Sequence, residues 1–291
     1  MLNKTLMLIF SIIWLNEPSS IVPNGHEVKR HRLSKLETQG LVMEREAVNN
    51  DAIPNVVEVI RRINEGSTQP FLCKCDDGQL YVLKSKPSMP SKNLLAEFIS
   101  GCLAQDIGLT LPDFKVVFVP EELVEYSPEL QRDICTGHAF ASKYIEGAVA
   151  LTFSQSRNEA IVPIEQQKLI YVFDRWVINA DRTLTSKGGN VNILYDVGND
   201  KYYLIDHNLS FDENVGPDDF LVHVYGPGNR NWEFDLVDRL EYRQKVVDSL
   251  VKLPAIIEEI PDDWIVDDEF LPFVYDTLNK GDHDEFWSEI V

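Results

Sequence analysis

Four side chains in the middle of the chain have the types and the order that phosphoryl transfer requires. Asp181 follows the end of an apolar helical pattern, Asn190 and Asn192 precede a strand pattern, and Asp206 ends the next strand pattern. In phosphoryl transfer, a loop aspartate accepts or orients the proton of the attacking hydroxyl. A downstream asparagine and a second aspartate then hold Mg²⁺ on the phosphates. Each residue alone fits a helix end or a turn equally well, so the ordered set is what favours this chemistry.

A lysine and a glutamate earlier in the chain could complete such a site. Lys84 closes the strand pattern LYVLK, and Glu97 lies among apolar neighbours in the helical pattern LLAEFI. A carboxylate on the inner side of a helix requires a cationic partner, because its burial without one is costly. A strand lysine followed by a helix glutamate is also the pairing of protein kinases. We therefore expect an ion pair between Lys84 and Glu97.

A turn containing Gly66, Ser67, Thr68 and Gln69 lies one strand before Lys84. It lacks the G-x-G-x-x-G pattern of kinases, so its composition alone indicates only a hairpin turn. Its hydroxyl groups and free amides could nevertheless contact an anion.

The elements that would position these residues fall into two groups. The first part of the chain has three strand patterns (VVEVIRRI, FLCKC and LYVLK), one helical pattern from residue 91 to Gly108, and two more strand patterns (FKVVFVP and HAFASKYI). Ser91, Lys92 and Asn93 are candidates to cap that helix. The second part has the helical pattern IEQQKLIYVFDRWVINA, the strands VNILYD and KYYLID, and helical patterns near 236–253 and 270–278.

This order predicts an α+β fold with a strand-rich N-lobe, a helix-rich C-lobe and a cleft between them. We expect an N-terminal arm over residues 1–52, an N-lobe over 53–147 and a C-lobe over 148–291.

Composition excludes several classes of protein. The chain has 291 residues, 44% of them hydrophobic, which excludes a wholly disordered protein. Its net charge of −20 repels phosphate backbones and anionic lipids, so we expect neither autonomous nucleic-acid binding nor membrane docking. The four cysteines do not form a disulfide framework and are expected to be buried thiols.

The N-terminus carries a short apolar run from Leu6 to Leu15. It is far shorter than the roughly 20 residues that span a bilayer. It resembles the apolar part of a secretory signal but lacks an A-x-A-like cleavage site. We favour a cytoplasmic protein with no stable membrane span and keep a secretory signal as the alternative.

Five segments together resemble the HipA-like kinase family, and more closely its compact bacterial branch. The segments are EGSTQPFLCKCDDGQLYVLK, AEFISGCLAQDIGLTLP, GHAFASKYIEGA, FDRWVINADRT…NVNIL and LIDHNLSF, within residues 56–273. The branch carries the pattern N-x-D-R-T-x-x-N-P-N and an I-D-H-G-like metal motif. The resemblance implies a two-lobed kinase-like fold, ATP with Mg²⁺ and transfer to a protein hydroxyl. A more distant similarity connects the chain to phosphatidylinositol kinases.

The resemblance also implies roles for individual residues. Asp181 would be the catalytic aspartate, Asn190 and Asp206 the metal ligands, and Lys84 the phosphate-binding lysine with Glu97 as its partner. Residues 66–69 would lie over the phosphates.

Three positions depart from the family pattern. The loop between Asp181 and Asn190 is longer than the family spacing, Val191 replaces a proline, and Asn208 replaces a glycine. The longer loop must bulge outward if Asn190 is to reach a metal, and Asn192 is the alternative ligand. None of the departures removes an ionisable group that the chemistry needs.

Three functions follow as hypotheses. The first is an active kinase acting on a protein Ser or Thr, including its own. The second is a weak or inactive nucleotide-binding regulator or scaffold, which the longer loop favours. The third, a lipid or small-molecule kinase, is disfavoured by the net charge.

Overall fold

A five-stranded antiparallel sheet forms the first half of the described chain. The computed structural model describes residues 53–64, 69–183, 189–266 and 269–290, and residues 53–291 belong to one compact unit. The strand order in the sheet is β1-β2-β3-β5-β4. The strands are β1 Val56–Arg62, β2 Phe71–Cys75, β3 Leu80–Lys84, β4 Phe114–Val119 and β5 Gly137–Lys143.

The hairpin of β2 and β3 carries Lys84 at its end. Its turn contains Gly78, whose φ of 78° is a conformation that glycine adopts without steric cost. Alternation along β2 directs Cys73 and Cys75 into the core. Burial raises the pKa of each of these two thiols to about 12, so neither is a reactive thiolate at neutral pH. The prediction of buried thiols is confirmed for this pair, and all four cysteines are free.

The two edges of the sheet meet where β1 begins. Asn55 forms a parallel bridge with Phe118 of β4, and the Phe118 amide donates to the Pro54 carbonyl at 2.9 Å. The sheet therefore curls towards closure, which covers part of both edges.

Helix α1, Ser91–Asp106, packs against this sheet and places Glu97 on a buried face. Ser91, Lys92 and Asn93 were predicted to cap it, and that prediction is wrong. Pro90 occupies the N-cap position without a side-chain cap, because the helix already begins at Ser91. The end of the helix agrees with the sequence pattern, since Gly108 follows it with a φ of 94°.

The second half of the described chain is mainly helical and includes a three-stranded sheet of order β6-β7-β8. The strands are β6 Val149–Ala150, β7 Ile193–Asp196 and β8 Lys201–Leu204. The helices that follow α1 are α2 Glu121–Val124, α3 Phe153–Ser156, α4 Ile164–Trp176, α5 Leu236–Leu250, α6 Leu253–Glu258, α7 Phe270–Asn279 and α8 Asp284–Glu289. The predicted strands and helices occur in the predicted order, and the short elements α2, β6 and α3 lie between them without having been predicted. The α+β class is confirmed.

Helix α4 leads into the stretch that holds Asp181, and the C-terminal helices support its end. The Trp176 indole is 1% exposed and donates to the Leu278 carbonyl of α7 at 2.8 Å. Gly281 approaches Trp176 so closely that a Cβ would lie 2.6 Å from the indole nitrogen. The end of α4 is therefore fixed by close packing and a hydrogen bond to the C-terminal helices.

The predicted arm over residues 1–52 lies outside the described residues, and the boundary near residue 147 stays a prediction. Within the described ranges, no helix has the length and apolar character needed to cross a bilayer.

Candidate functional site

Three elements bring Lys84, Glu97 and Asp206 together, as their types and order predicted. Lys84 ends β3, Glu97 lies in α1, and Asp206 follows β8. The Lys84 Nζ is 2.9 Å from Glu97 Oε1 and 2.7 Å from Asp206 Oδ1. The side chains of Lys84 and Glu97 are only 9% and 5% exposed, so this cation bridges two carboxylates largely out of water.

The electrostatics of this cluster follow from burial and charge. Burial alone would lower the pKa of Lys84, but the neighbouring Asp206 and Glu97 outweigh it and the net shift is upward. Burial raises the pKa of Glu97, and Lys84 only partly offsets that effect. For Asp206, burial opposes ionisation, yet Lys84 holds the pKa below its ordinary value. Lys84 is therefore a firmly protonated cation beside an ionised Asp206.

The residues after Asp206 connect this cluster to α1. The His207 amide donates to Glu97 Oε2 at 3.0 Å, and the Asn93 side chain donates to the Asn208 carbonyl at 2.9 Å. Both contacts join α1 to the predicted metal motif. Glu97 is consequently fixed by a charge on one side and by a main-chain amide on the other.

Asp181 is paired with Asn192, the alternative ligand. Asn192 Nδ2 donates to Asp181 Oδ2 at 2.9 Å, and Asn192 is 2% exposed. Asn190 is exposed, and its side-chain oxygen accepts from the Asn192 amide at 3.1 Å. The structure thus places the Asn192 side chain in contact with Asp181. The Asn190 side chain contacts the main-chain amide of Asn192 instead.

The charge of Asp206 affects the proton affinity of Asp181. Burial raises the pKa of Asp181, the hydrogen bond from Asn192 opposes this, and the negative charge of Asp206 adds to the rise. Asp181 is therefore a carboxylate with greater proton affinity than an ordinary aspartate, as a proton acceptor in catalysis requires.

Several residues in and around the site have strained backbone conformations. Ile178, Asn192, Asp206 and Phe211 all have φ between 52° and 63°, in the left-handed region. For a β-branched residue such as Ile178 this conformation is a true outlier, and each such residue costs on the order of 1–3 kcal/mol. Strain of this kind persists where the surrounding structure fixes a functional geometry.

Four buried residues of the site have no role in the sequence prediction. Asp174 of α4, Arg182 and His223 are 0% exposed, and His207 is 2% exposed. Asp174 had a detectable signal, because it is an acid within the apolar run IYVFDRWVI. His223 lies 49 positions from Asp174, and no pattern in the sequence connects the two.

The predicted phosphate-covering turn is only partly visible. Gly66, Ser67 and Thr68 lie outside the described residues. Gln69 has a φ of 42°, and its side-chain oxygen accepts from Arg62 at 3.4 Å.

The buried histidines predict how stability depends on pH. Burial and the Arg182 charge lower the pKa of His207 to about 3, and burial lowers the pKa of His223 although Asp174 opposes it. The unfolded chain binds these protons at higher pH than the folded chain does. The free energy of unfolding therefore falls as pH falls from about 6.5 towards about 3.

Urea unfolding between about pH 7 and about pH 4.5 measures this loss. His223→Gln keeps a donor for Asp174 but does not titrate, so we expect it to lose less stability on acidification than the wild type. Equal losses in the two proteins would contradict the buried, neutral His223.

The oxygen donors fit a magnesium ion that arrives with a nucleotide. Among the described residues, no group of three or more His, Cys, Asp or Glu side chains could hold a metal ion alone. Asp206 supplies a carboxylate and Asn192 an amide oxygen. Mg²⁺ is commonly bound by one or two carboxylates together with substrate phosphates, and Lys84 would supply a cation for those phosphates.

Several solved structures are similar to the chain at low sequence identity. Among solved structures, the chain is similar to the proinflammatory kinase CtkA of Helicobacter pylori, at 12% identity and a TM-score of 0.45, covering 75% of this chain and 91% of that one. It is similar to HipA of Shewanella oneidensis MR-1, solved with HipB and operator DNA, at 11% identity and a TM-score of 0.41, covering 90% and 73%. It is also similar to a Golgi casein kinase with Mn and ADP bound, at 13% identity and a TM-score of 0.40, covering 87% and 76%. A search of curated protein sequences found no match.

A family comparison covers most of the chain. The model of the HipA-like kinase family matches residues 56–290, which include both halves of the fold and every described residue of the site. The chain therefore belongs to the HipA-like kinase family.

Proposed function

We propose that this protein is an ATP- and Mg²⁺-dependent kinase of the HipA-like type. Its acceptor is a Ser or Thr hydroxyl of a protein, including its own chain. The observation that carries the proposal is the buried contact of Lys84 with both Glu97 and Asp206, beside the pair of Asp181 and Asn192. These are the cation, the carboxylate pair and the amide that phosphoryl transfer uses.

Each residue has a distinct role in the proposal. Lys84 binds the phosphates of ATP, and Glu97 orients its ammonium group. Asn192 engages Oδ2 of Asp181, so we assign Oδ1 to the proton of the acceptor hydroxyl. As that hydroxyl oxygen forms its bond to the γ-phosphorus and the bond to ADP breaks, Asp181 takes the proton. Mg²⁺ would neutralise charge on the phosphates.

Asn192 replaces Asn190 as the proposed amide ligand. Asn192 immediately precedes β7 and already contacts Asp181, whereas the Asn190 side chain supports the Asn192 amide. Asn190 is exposed, and Asn192 would supply the amide oxygen for Mg²⁺. Asp206 is the second proposed ligand, and residues 66–69 are proposed to cover the phosphates.

Charge and thiol chemistry support the remaining parts of the proposal. The net charge of −20 favours a protein acceptor over nucleic acid or an anionic membrane. The four free cysteines suit a reducing compartment such as the cytoplasm.

Incubation of the purified protein with γ-labelled ATP and Mg²⁺ tests the function. We expect label on the protein itself or on an added protein mixture, and we expect none after chelation of Mg²⁺. Asp206→Asn should lower the transfer rate and raise the Mg²⁺ requirement, because it removes the charged ligand. Transfer that is independent of Mg²⁺ and of Asp206 would contradict the proposal.

The regulator hypothesis predicts a different outcome of the same experiment. It requires thermal stabilisation by ATP and Mg²⁺ without labelled protein. The length of the loop between Asp181 and Asn190 is the feature that favours it.

A further inference from the structure

Asp174 is a buried anchor beneath the proposed site. It lies near the end of α4 and is 0% exposed. Its Oδ2 accepts from Arg182 Nε at 2.7 Å and lies 2.9 Å from His223 Nε2, and its Oδ1 accepts from Asn179 Nδ2 at 3.0 Å. Three side chains from two chain segments, 179–182 and the segment of His223, therefore meet on one carboxylate that touches none of the groups assigned to substrate.

Arg182 extends this anchor to the proposed metal ligand. Its NH1 donates to the Asn192 carbonyl at 2.7 Å and to the Val191 carbonyl at 3.3 Å. The same Asn192 carbonyl accepts from the Ile205 amide at 3.0 Å. The backbone of Asn192, and with it the side chain that faces Asp181, is held from two sides.

The same arginine lies at the base of the long loop. Arg182 forms a parallel bridge with Asn190, and the Thr183 amide donates to the Asn190 carbonyl at 3.2 Å. The residues on either side of the loop, 182–183 and Asn190, are therefore paired with each other. The length of the loop between them need not change the position of Asn192. Asp174 fixes Arg182, and Arg182 fixes the return of the chain.

His223 connects the segment after the predicted metal motif to the Asp174 carboxylate through a hydrogen bond. His223 Nδ1 accepts from the Tyr225 amide at 3.1 Å, so Nε2 carries the hydrogen that is donated to Asp174. The Val224 amide also donates to the Arg182 carbonyl at 3.0 Å. This segment is thereby held beside the turn that bears Asp181.

We propose that Asp174 is a positioning residue of the transfer site, which holds the Asn192 amide in place for metal binding through Arg182 and attaches the following segment through His223. The inference rests on the proposed function. It adds that the Mg²⁺ requirement of the protein is set partly by a carboxylate that touches neither metal nor substrate. Loss of groups that orient a metal ligand typically costs 10–100-fold in metal affinity or activity.

Asp174→Asn tests the inference through the Mg²⁺ dependence of transfer. We expect the half-saturating Mg²⁺ concentration to rise by about tenfold or more and kcat to fall. The KM for ATP at saturating Mg²⁺ should stay near the wild-type value, because Lys84 and Glu97 are untouched. The matched control is Asp196→Asn, another buried aspartate, whose hydrogen bonds from described residues come from Gly198 and Asn199 of its own turn. It should leave the Mg²⁺ dependence unchanged.

A double-mutant cycle identifies the route of the effect. If Asp174 acts through Asn192, Asp174→Asn combined with Asn192→Ala should be little worse than Asn192→Ala alone. Should Asp174→Asn fail to fold, His223→Leu removes one hydrogen bond without removing a charge. It should raise the Mg²⁺ requirement by a smaller factor, and His223→Gln should restore it.

Mg²⁺-dependent thermal stabilisation by ADP separates this inference from the proposed function. A wild type that is stabilised but transfers nothing, together with an Asp174→Asn variant that has lost the Mg²⁺ dependence, would overturn the function and support the positioning role. A folded Asp174→Asn with wild-type Mg²⁺ dependence, or effects that multiply with those of Asn192→Ala, would overturn the positioning role. A wild type that neither transfers nor binds Mg²⁺ and ADP would overturn both.

Discussion

Asp181→Ala is expected to lower the rate of phosphoryl transfer by about 10²- to 10⁴-fold, the usual contribution of general acid–base catalysis. The reason is local. Burial raises the proton affinity of Asp181, and Asn192 fixes its second oxygen. Binding of ATP with Mg²⁺ should persist, because Lys84, Glu97 and Asp206 remain. Steady-state transfer rates and the thermal shift with Mg²⁺ and ADP measure the two effects separately.

Two companion variants sharpen this prediction. Asp181→Asn keeps a side-chain oxygen that can accept from Asn192 but is a far weaker base, so it should be nearly as impaired as Asp181→Ala. Asp113→Ala removes an aspartate whose side chain is 80% exposed and should leave the rate unchanged. An Asp181→Asn variant with wild-type activity would show that Asp181 contributes geometry rather than proton transfer.

Lys84→Met is expected to abolish transfer and also to destabilise the fold by about 3–5 kcal/mol, the usual cost of removing one partner from a buried ion pair. The methionine fills similar space but leaves the carboxylates of Glu97 and Asp206 without their cation. The pKa of both groups should then lie above its unfolded value. Lys84→Met should therefore regain stability as pH falls, whereas the wild type loses it. Urea unfolding over a range of pH measures this difference.

Adding Glu97→Gln to Lys84→Met separates the charge of Lys84 from its role in catalysis. The double variant removes one uncompensated carboxylate, so stability should largely return while transfer should not. If Lys84→Met were as stable as the wild type at neutral pH, Lys84 could not be the cation that neutralises the cluster.

Local patterns in the sequence were sufficient for most of the fold. Apolar alternation around the Gly78 turn predicted the hairpin of β2 and β3, and helical spacing predicted α1 and α4. These signals depend on residues close in the chain, where periodicity is reliable. The predicted cap of α1 was wrong by one residue. Pro90 takes the N-cap position directly before the candidates Ser91, Lys92 and Asn93, and helix boundaries are the least reliable part of such a prediction. The bridge from Asn55 to Phe118 had no local signal.

The site was predictable where charge had to be neutralised. Glu97 in an apolar helical face required a cation, and Lys84 was the suitable one. The choice between Asn190 and Asn192 was not predictable, because it depends on where the long loop closes. That closure is made by contacts of Thr183 and Arg182 with residues 190–192. Asp174 and His223 meet only through the tertiary fold, and spacing cannot reveal such a contact.

A crystal structure of the protein with a non-hydrolysable ATP analogue and Mg²⁺ tests the central claim most directly. We predict one bound nucleotide, with a phosphate oxygen near Lys84 Nζ and a metal ion shared by the side-chain oxygens of Asp206 and Asn192. A nucleotide bound away from Lys84, or a metal ion held without Asp206, would contradict the assignment of this site.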